Sequence, residues 1–461
     1  MTRAPYARYK PSGVEWLGDV PEHWEVKRSD GIIESEKNQL SPESFADEEV
    51  FHYSIPAVQE FGTSAVENGE TIASSKQSVV EPVVLVSRLN PRKATICRAE
   101  PKAQRTLAST EFVALKARKC DLRFLEYLVS SETFRQRLDS WVQSVTRSHQ
   151  RASPDLIYRF WSAWPHPDEQ RAIADFLDRE TSRLDQLIAK KRELIERLKE
   201  KRTALISRTV TRGLPADAAA ETGLPVNPPL KPSGLDWLGD IPGYWEVCRL
   251  KRVTLSRCDG PFGSGLKSEH YCDDGVRVIR LQNIRFAQFD DRDAAFIEPE
   301  YYKELGDHSV LPGDLLIAGL GDENHPVGRA CVAPSNLGPA MVKADCFRFR
   351  LNPKRATSSY VALQLSTTAN ALAGALATGT TRGRMNLSAT EDREIALPPL
   401  PEQAAIAAYL DVETAKLDAL VVQVEEAVER LQEYRTALIT AAVTGKIDVR
   451  QAALDGGGRL N

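Results

Sequence analysis

The sequence predicts a mixed α/β protein in which two α/β domains are separated by two long antiparallel coiled-coil helices. Three observations carry this prediction. Two framework segments occur twice in the chain, the second of them has the apolar spacing of a long helix, and the inserts between them alternate short apolar runs with turn residues. The predicted fold therefore has an internal pseudo-two-fold repeat.

The first framework segment lies at the start of each half. Residues 10–26 read KPSGVEWLGDVPEHWEV and return as residues 231–247, which read KPSGLDWLGDIPGYWEV. The inserts that follow the two copies share almost no sequence. A duplicated framework with divergent inserts indicates one architecture that presents two different recognition surfaces.

The second framework segment predicts a long helix. From about residue 168 to residue 211, apolar residues recur in alternating steps of three and four, as in a coiled coil. The predicted seam comprises Ile173, Leu177, Leu184, Leu187, Leu194, Leu198 and Leu205, and in the second copy Ile406, Leu410, Leu417, Leu420, Ala427, Leu431 and Leu438. Because a lone helix with one apolar stripe is not stable in water, we expect the two helices to pack on each other. The alternative is a coiled coil that only dimerises the protein with another chain.

These segments set the predicted domain boundaries. The first domain spans residues 1–165, the first long helix 166–213, a Pro-rich linker 214–230, the second domain 231–397, the second long helix 398–448 and a tail 449–461. A chain of 461 residues is also too long for one hydrophobic core, so length alone favours two domains.

The composition is that of a soluble globular protein. No apolar run approaches the roughly 18 to 20 residues that a membrane span needs, and the first residues lack the apolar core of a signal peptide. We therefore expect a cytoplasmic protein with no membrane partner. The seven cysteines are scattered without a Cys-x-x-Cys pair, which argues against a disulfide framework and a structural zinc site.

The charge is distributed unevenly along the chain. The net charge of −4 is unlike that of a simple DNA-binding protein, which is usually basic. Residues 88–123, however, contain ten basic residues and three acidic ones. Such a run can hold phosphates through counterion release, or it can be a solvated basic surface.

Five short motifs add a family resemblance. They are WLGDIPGYWE at residues 237–246, GPFGSGLK at 260–267, PGDLLI at 312–317, GTTR at 379–382 and LPPLPEQ at 397–403. Together they resemble the specificity subunit of type I restriction-modification systems, over nearly the whole chain. The resemblance is weaker in the first insert, where the GPFGS loop is missing and the helix entry reads WPHPDEQ at residues 164–170.

The resemblance implies DNA recognition without catalysis in this chain. In such subunits two target-recognition domains each read one half of a split double-stranded DNA target, while the paired helices set the spacer and dock two methyltransferase subunits. The methyltransferase partners bring S-adenosylmethionine and methylate an adenine that is turned out of the duplex. Translocating nuclease subunits join for restriction. We therefore expect no catalytic residue, metal site or cofactor site in this chain.

Candidate DNA-binding residues follow from the chemistry of readout. Arginine pairs with guanine, asparagine and glutamine pair with adenine, and lysine, arginine, serine and threonine contact phosphates. In the first insert the candidates are Lys76, Arg88, Arg92, Lys93, Thr146, Arg147 and Arg151. In the second they are Lys267, Arg280, Gln282, Asn283, Thr381, Arg382, Arg384 and Asn386.

Two other functions remain as alternatives. The first is a self-contained adenine methyltransferase. Residues 227–230, NPPL, resemble the Asn-Pro-Pro-aromatic motif of such enzymes, but they lack the aromatic residue and lie in the linker. The second is a coiled-coil scaffold without DNA specificity, which salt-insensitive or absent DNA binding would favour.

Overall fold

The structure is a computed structural model that forms two compact units. It describes residues 4–35, 38–90, 95–140, 151–235, 238–262, 265–305, 307–322, 324–376 and 383–450, with only the backbone of residues 370–376. Unit 1 comprises residues 1–192 and 425–461, and unit 2 comprises residues 193–424. Each unit therefore contains one insert and one part of each long helix.

Among its described residues, unit 1 contains short strands, four helices of its own and parts of both long helices. The strands are β1 (Tyr9–Pro11), β2 (Asp19–Pro21), β3 (Glu25–Arg28), β4 (Ile33–Ser35), β5 (Gln39–Leu40), β6 (Glu49–Tyr53), β7 (Ala65–Asn68), β8 (Lys76–Ser78), β9 (Val83–Ser87), β10 (Ile96–Ala99), β11 (Thr106–Ser109), β12 (Phe112–Ala117) and β13 (Trp161–Trp164). The helices are α1 (Ile55–Phe61), α2 (Leu122–Ser130), α3 (Glu132–Ser140), α4 (Pro154–Tyr158) and the first long helix, α5 (Pro167–Arg212), which continues into unit 2.

Unit 2 repeats this number of strands, but its short helices lie at different places in the order. Its strands are β14 (Leu230–Pro232), β15 (Asp240–Pro242), β16 (Glu246–Arg249), β17 (Thr254–Cys258), β18 (Tyr271–Cys272), β19 (Val276–Ile279), β20 (Phe296–Ile297), β21 (Ser309–Val310), β22 (Leu315–Ala318), β23 (Ala330–Val332), β24 (Ala340–Val342), β25 (Cys346–Leu351) and β26 (Glu394–Leu397). Its helices are α6 (Ala216–Glu221), α7 (Pro299–Leu305), α8 (Ser358–Leu376), α9 (Leu387–Glu391) and the second long helix, α10 (Leu400–Val443), which continues into unit 1.

The two units share one sheet topology although their inserts share almost no sequence. A four-stranded antiparallel sheet has the order β10-β9-β12-β4 in unit 1 and β23-β22-β25-β17 in unit 2. A five-stranded sheet contains β7-β6-β11-β8 in unit 1 and β20-β19-β24-β21 in unit 2, and the central pair is parallel in both. The fifth strand differs, since β5 pairs with β8 whereas β18 pairs with β20.

Burial of short apolar strands explains this shared order. Every residue of β9 and of β22 is buried, as continuous apolar strands covered on both faces require. The helix that follows β12, α2, turns four apolar residues inward, and its counterpart α8 packs on β22 and β23. The repeated tryptophans of the first framework segment, Trp24 and Trp245, are completely buried. Each donates its backbone N–H to a proline carbonyl three residues earlier at 2.9 Å.

Within each unit the parts of the two long helices run antiparallel. In unit 1, Asp185 of α5 accepts a hydrogen bond from Arg435 of α10 at 2.9 Å. In unit 2, Arg202 of α5 lies 2.9 Å from Asp418 of α10. In unit 1, Glu169 near the start of α5 also lies 3.9 Å from Arg450, which follows α10. In unit 2, Gly213 at the end of α5 lies beside Glu402 at the start of α10. Within each unit the chain positions therefore rise along one helix as they fall along the other. The α/β fold class, the internal repeat and the coiled-coil helices predicted from the sequence are confirmed.

The register of the predicted seam was partly wrong. Leu187, Leu194 and Leu420, which the heptad pattern places in the seam, are 42, 43 and 46 % exposed. The buried residues instead recur every eleventh position, at Ile173, Leu184, Ile195 and Ile206 in α5 and at Ile406, Leu417, Val428 and Ile439 in α10. An eleven-residue repeat has about 3.67 residues per turn, so its stripe stays on one face of a nearly straight helix, whereas a heptad stripe drifts.

Each long helix is docked at its start by a repeated Glu-Gln pair. Gln170 is buried, accepts from the backbone N–H of Asp121 at 2.8 Å and donates to the Pro165 carbonyl at 2.8 Å. Gln403 is equally buried, and it accepts from the backbone N–H of Thr357 at 2.8 Å. It also donates to two carbonyl oxygens at 2.9 and 3.0 Å. The shared sequence thus fixes each helix onto its sheet in the same way.

Both long helices end at a glycine in the left-handed region. Gly213 has φ +84° and Gly445 has φ +70°, values that favour glycine. A Cβ at Gly445 would lie 2.4 Å from the Pro21 ring, and one at Gly213 would lie 3.2 Å from a Glu402 oxygen. Within the described part of the chain, no helix is both long and apolar enough to cross a membrane.

Candidate nucleic-acid interface

An exposed arginine lies at the same end of the four-stranded sheet in both units, just beyond β9 or β22. In unit 1, Leu89 forms an isolated antiparallel bridge with Arg151, and in unit 2, Leu320 forms the same bridge with Arg384. In each case the residue after the arginine donates its backbone N–H, at 2.8 Å, to the carbonyl of the residue before the leucine. Arg151 and Arg384 therefore occupy equivalent positions, and they lie as far apart in the chain as Glu169 and Glu402 of the framework.

A carboxylate holds each of these arginines. Glu111 stands immediately before β12 and accepts from an Nη atom of Arg151 at 2.7 Å. Asp345 stands immediately before β25 and accepts from Nε of Arg384 at 3.1 Å. The arginine side chains are 50 and 62 % exposed, whereas the carboxylate side chains are 28 and 21 % exposed. Each guanidinium is therefore fixed along one edge and open to solvent along the other.

The electrostatic surroundings of the two pairs differ. In unit 1, Arg88 also approaches Glu111, at 3.7 Å, so that two cations share one carboxylate. In unit 2 the backbone N–H of Asp345 donates to Asp259 at 3.0 Å, and Gly260 donates to the same oxygen at 2.7 Å. Burial raises the pKa of Asp259 to about 6, and the nearby charge of Asp345 adds to the rise.

Unit 2 has a polar cleft beside its arginine. A cavity of about 250 Å³ is lined by Leu281, Gln282, Arg285, Leu320, Gly321, Asp322, His325 and Arg329. An adjoining cavity of about 790 Å³ shares Arg285 and His325 with it. Gly321 also donates its backbone N–H to the Gly383 carbonyl at 3.0 Å, which joins the cleft to the loop of Arg384. Three segments that are far apart in sequence thus converge here.

Two buried polar side chains brace this cleft. The Arg329 guanidinium, which is 5 % exposed, donates to five backbone carbonyls of the two segments that line the cleft, at 2.7 to 3.2 Å. Asn283 is completely buried, accepts from the Arg280 backbone N–H and donates to the carbonyls of Asp290 and Asp293, each at 2.8 Å. A rigid backbone positions its exposed side chains with little loss of entropy on binding.

Besides Arg384, three candidates of unit 2 are exposed. Gln282 lies at the cleft rim, Lys267 lies 3.6 Å from Glu269, and Asn386 accepts from the Ala389 backbone N–H as the N-cap of α9. DNA contacts by these side chains stay predictions.

Two further candidates of unit 2 have structural partners. Asn283 is buried and its amide is fully used, so a base contact would break the hydrogen bonds that shape the cleft. Arg280 is 25 % exposed and binds both carboxylate oxygens of Asp293. Thr381 and Arg382 lie outside the described residues.

The candidates of unit 1 are divided in the same way. Arg88 and Arg151 lie together at the carboxylate of Glu111. Lys76 is 6 % exposed and donates to the backbone and hydroxyl oxygens of Ser74, and burial lowers its pKa. A phosphate contact by Lys76 would therefore require its side chain to leave the sheet. Arg92, Lys93, Thr146 and Arg147 lie outside the described residues.

The basic run of residues 88–123 is largely neutralised in three dimensions. Acidic residues from other parts of unit 1 pair with it: Arg105 with Glu48, Lys116 with Glu81, Arg118 with Glu34 and Glu81, and Arg123 with Asp175 and Asp178. The sequence could not show these pairings because the partners lie far away in the chain. The described residues of the run therefore do not form one continuous positive patch.

Several residues of this interface were not identified from the sequence. Glu111 and Asp345 escaped because single acidic residues before a strand have no distinctive pattern. Arg285, Asp322 and His325 enter the cleft only through tertiary contacts. All seven cysteines are free, and the described residues contain no group of three or more potential metal ligands.

Comparison with known proteins gives the family context. Residues 307–430 match the family described as type I restriction modification DNA specificity domain, which covers β21 to β26 and the start of α10. The EcoKI specificity subunit of Escherichia coli is 26 % identical over 211 residues, or 45 % of this chain and 44 % of that protein. The MjaVIII specificity subunit of Methanocaldococcus jannaschii is 23 % identical over 291 residues, or 62 % of each chain. The matches therefore span less than two thirds of these curated relatives.

Two solved structures share the fold. A chain from a structure of the type I R-M system has a TM-score of 0.69 at 17 % identity, covering 92 % of this chain and 98 % of that chain. The HsdS subunit of Thermoanaerobacter tengcongensis has a TM-score of 0.51 at 17 % identity, with 93 and 98 % coverage. The sequence comparisons and these folds confirm the resemblance of this chain to the specificity subunits of type I restriction-modification systems.

Proposed function

We propose that this chain is the DNA specificity subunit of a type I restriction-modification complex, in which each unit reads one half of a split DNA target. One observation carries the proposal: two inserts with almost no common sequence have the same strand order on a duplicated framework. A shared scaffold with different surfaces suits a protein that reads two different short sequences. The match of residues 307–430 to a DNA specificity domain supports the same function.

In this proposal the chain contributes recognition, and its partners contribute catalysis. Two methyltransferase subunits would bind S-adenosylmethionine and methylate adenine within the target, and translocating nuclease subunits would join for restriction. The long helices would set the spacer between the half-sites and dock the methyltransferases. The proposed complex acts on cytoplasmic double-stranded DNA.

Apolar surface on the long helices supports partner docking. Leu187, Leu194, Val412, Leu420 and Val422 are each between 42 and 55 % exposed, although the helices have buried stripes elsewhere. In unit 1 a groove of about 820 Å³ lies between α3 and the second long helix, and Ala437 and Ala441 form part of its lining. An apolar groove of this kind, with further exposed apolar side chains on the same helices, suits a protein interaction site.

The direct test is the methylation pattern. The chain is expressed with its candidate methyltransferase partner in a host without DNA methylation, and the genomic DNA is sequenced for 6-methyladenine. We expect a motif of two short halves around a fixed spacer, which disappears when this chain is omitted. A stable complex with an active partner and no methylated motif would exclude the proposal and favour the scaffold function.

A substitution in the cleft of unit 2 sharpens this test. Gln282 is exposed at the cleft rim, and glutamine pairs with adenine in the major groove. Gln282→Ala should relax one half of the methylated motif and leave the other half unchanged. Gln104→Ala is the control, since Gln104 is an exposed glutamine of unit 1 that lies on neither long helix.

A further inference from the structure

We propose that Arg151 and Arg384 form a duplicated binding site for the DNA phosphodiester backbone, one in each unit. The inference rests on the proposed function, because it names the part of DNA that the two equivalent positions contact. It assigns to these arginines a role that is independent of the nucleotide sequence. The base-reading contacts then belong to residues that differ between the units.

The equivalence of the two positions is the first step. Each arginine bridges the residue two positions beyond a fully buried strand, β9 or β22, and each is held by a carboxylate immediately before the neighbouring strand, β12 or β25. The backbone N–H of Arg88 donates to the Glu111 carbonyl at 2.9 Å, and that of Gly319 donates to the Asp345 carbonyl at 2.8 Å. Backbone geometry and ion pair are thus repeated together.

Stability alone does not account for the repeated pair. Both guanidinium groups are at least half exposed, and exposed ion pairs typically contribute only about 0 to 1 kcal/mol. Exposed positions here need not match, since Arg88 in unit 1 corresponds to Gly319 in unit 2. The matched pair of exposed arginines therefore indicates a shared binding role.

The shared role follows from what two different half-sites have in common. Base edges differ between half-sites, whereas the phosphate backbone is the same in both, and phosphate contacts position a protein without specifying sequence. The segments that follow the equivalent strands β6 and β19 differ, as expected for base-reading elements. After β6 the chain forms α1, whereas after β19 it forms a 3-10 turn at Leu281–Asn283 that leads into the cleft.

The guanidinium geometry suits a phosphate. Each carboxylate takes one edge of the guanidinium, and arginine can present its remaining N–H groups to a second anion in a fixed fork. The charge around the two sites predicts their order of strength. Arg88 adds a second cation at Glu111 in unit 1. Arg151 should therefore contribute more to DNA affinity than Arg384.

The test measures the salt dependence of DNA binding by the complex of this chain with its methyltransferase partner. Two probes are used, a duplex with the motif found by methylation sequencing and a scrambled duplex of equal length. Arg151→Gln and Arg384→Gln should each reduce the slope of log affinity against log salt by about 0.9 on both probes. Between about 50 and about 200 mM salt, the ratio of wild-type affinity to variant affinity should then fall by about 3.5-fold for each variant.

Two control variants match the change in charge. In unit 1, Arg105 pairs with Glu48 and precedes β11, whereas Glu111 follows β11. In unit 2, Arg355 pairs with Glu246 and follows β25, whereas Asp345 precedes β25. Arg105→Gln and Arg355→Gln should leave the slope unchanged. Arg151→Lys and Arg384→Lys keep the positive charge, so they should retain most of the slope and the full methylated motif, whereas a bidentate base contact would be lost.

The possible outcomes separate this inference from the proposed function. A wild-type complex that methylates no split motif refutes the proposed function itself. A split motif with unchanged salt slopes in Arg151→Gln and Arg384→Gln refutes the phosphate site alone. Relaxation of one half of the motif in either lysine variant also refutes it, because the arginine would then read a base.

Discussion

The eleven-residue repeat and the heptad pattern predict burial of different residues in the long helices. In unit 1 the adjacent residues Ile188 and Leu187 distinguish the two. Ile188 lies eleven residues after the buried Leu177 and is 6 % exposed, whereas Leu187 belongs to the heptad seam and is 42 % exposed. Removing a buried isoleucine side chain costs about 3 kcal/mol, and removing a half-exposed leucine costs about 1 kcal/mol. Alanine also raises helix propensity over isoleucine by a few tenths of a kcal/mol, which works against the expected difference.

Urea unfolding of the full chain, followed by far-UV circular dichroism, measures this difference. Ile188→Ala should lower the free energy of unfolding of unit 1 by about 2 kcal/mol more than Leu187→Ala does. Leu184→Ala is the common control, because Leu184 is 8 % exposed and belongs to the seam in both patterns. Equal losses in the two adjacent variants, or a larger loss in Leu187→Ala, would restore the heptad register.

Three further predictions concern the half-buried carboxyl of Asp259 and two residues of the framework. Asp259→Asn should stabilise unit 2 at pH 7.5, because burial raises the pKa of this carboxyl from 3.8 to about 6. The carboxyl is only half-buried, so solvent screening should keep the gain well below the roughly 3 kcal/mol that the full shift represents. Relative to the variant, the wild type should therefore lose stability as the pH rises from 4 to 6.5, and it should lose no more above pH 6.5. Urea unfolding at several pH values measures this difference. A difference in stability that does not change with pH would contradict the prediction. Gln403→Ala should lower the free energy of unfolding of unit 2 by about 2 to 4 kcal/mol, since it leaves buried partners unsatisfied, and unchanged urea midpoints would disprove it. Gly445→Ala should lower the thermal midpoint more than Gly213→Ala does, because its Cβ would meet ring atoms at 2.4 Å instead of one carboxylate oxygen at 3.2 Å.

The sequence predicted the framework because its signals are local. The two copies of KPSG…WEV and the apolar period of the long helices lie within short stretches, so the repeat and the helices could be identified directly. The error in the seam arose where leucine and isoleucine are neighbours, as at Leu187 and Ile188. Both residues are apolar, and only the cumulative drift of a heptad against 3.6 residues per turn decides which one is buried.

The candidate site was harder to predict because tertiary contacts decide it. Lys76 and Asn283 are polar residues of types that contact DNA, yet the structure buries both. Their surroundings come from other strands and loops, which the sequence pattern does not reveal. The positive run of residues 88–123 likewise loses most of its excess charge to distant carboxylates such as Glu81 and Asp178.

A similarity between the two inserts has one explanation at buried positions and another at exposed positions. Strand order requires only that apolar side chains fill the interior, so the sequences of β9 and β22 could diverge while the topology stayed the same. An exposed side chain has no such packing requirement. A match at the surface, as at Arg151 and Arg384, therefore needs a reason outside the fold, and a ligand feature common to both units supplies one. By the same reasoning the unmatched surface, such as the cleft at Gln282, is where the two units should differ in the DNA sequence that they read.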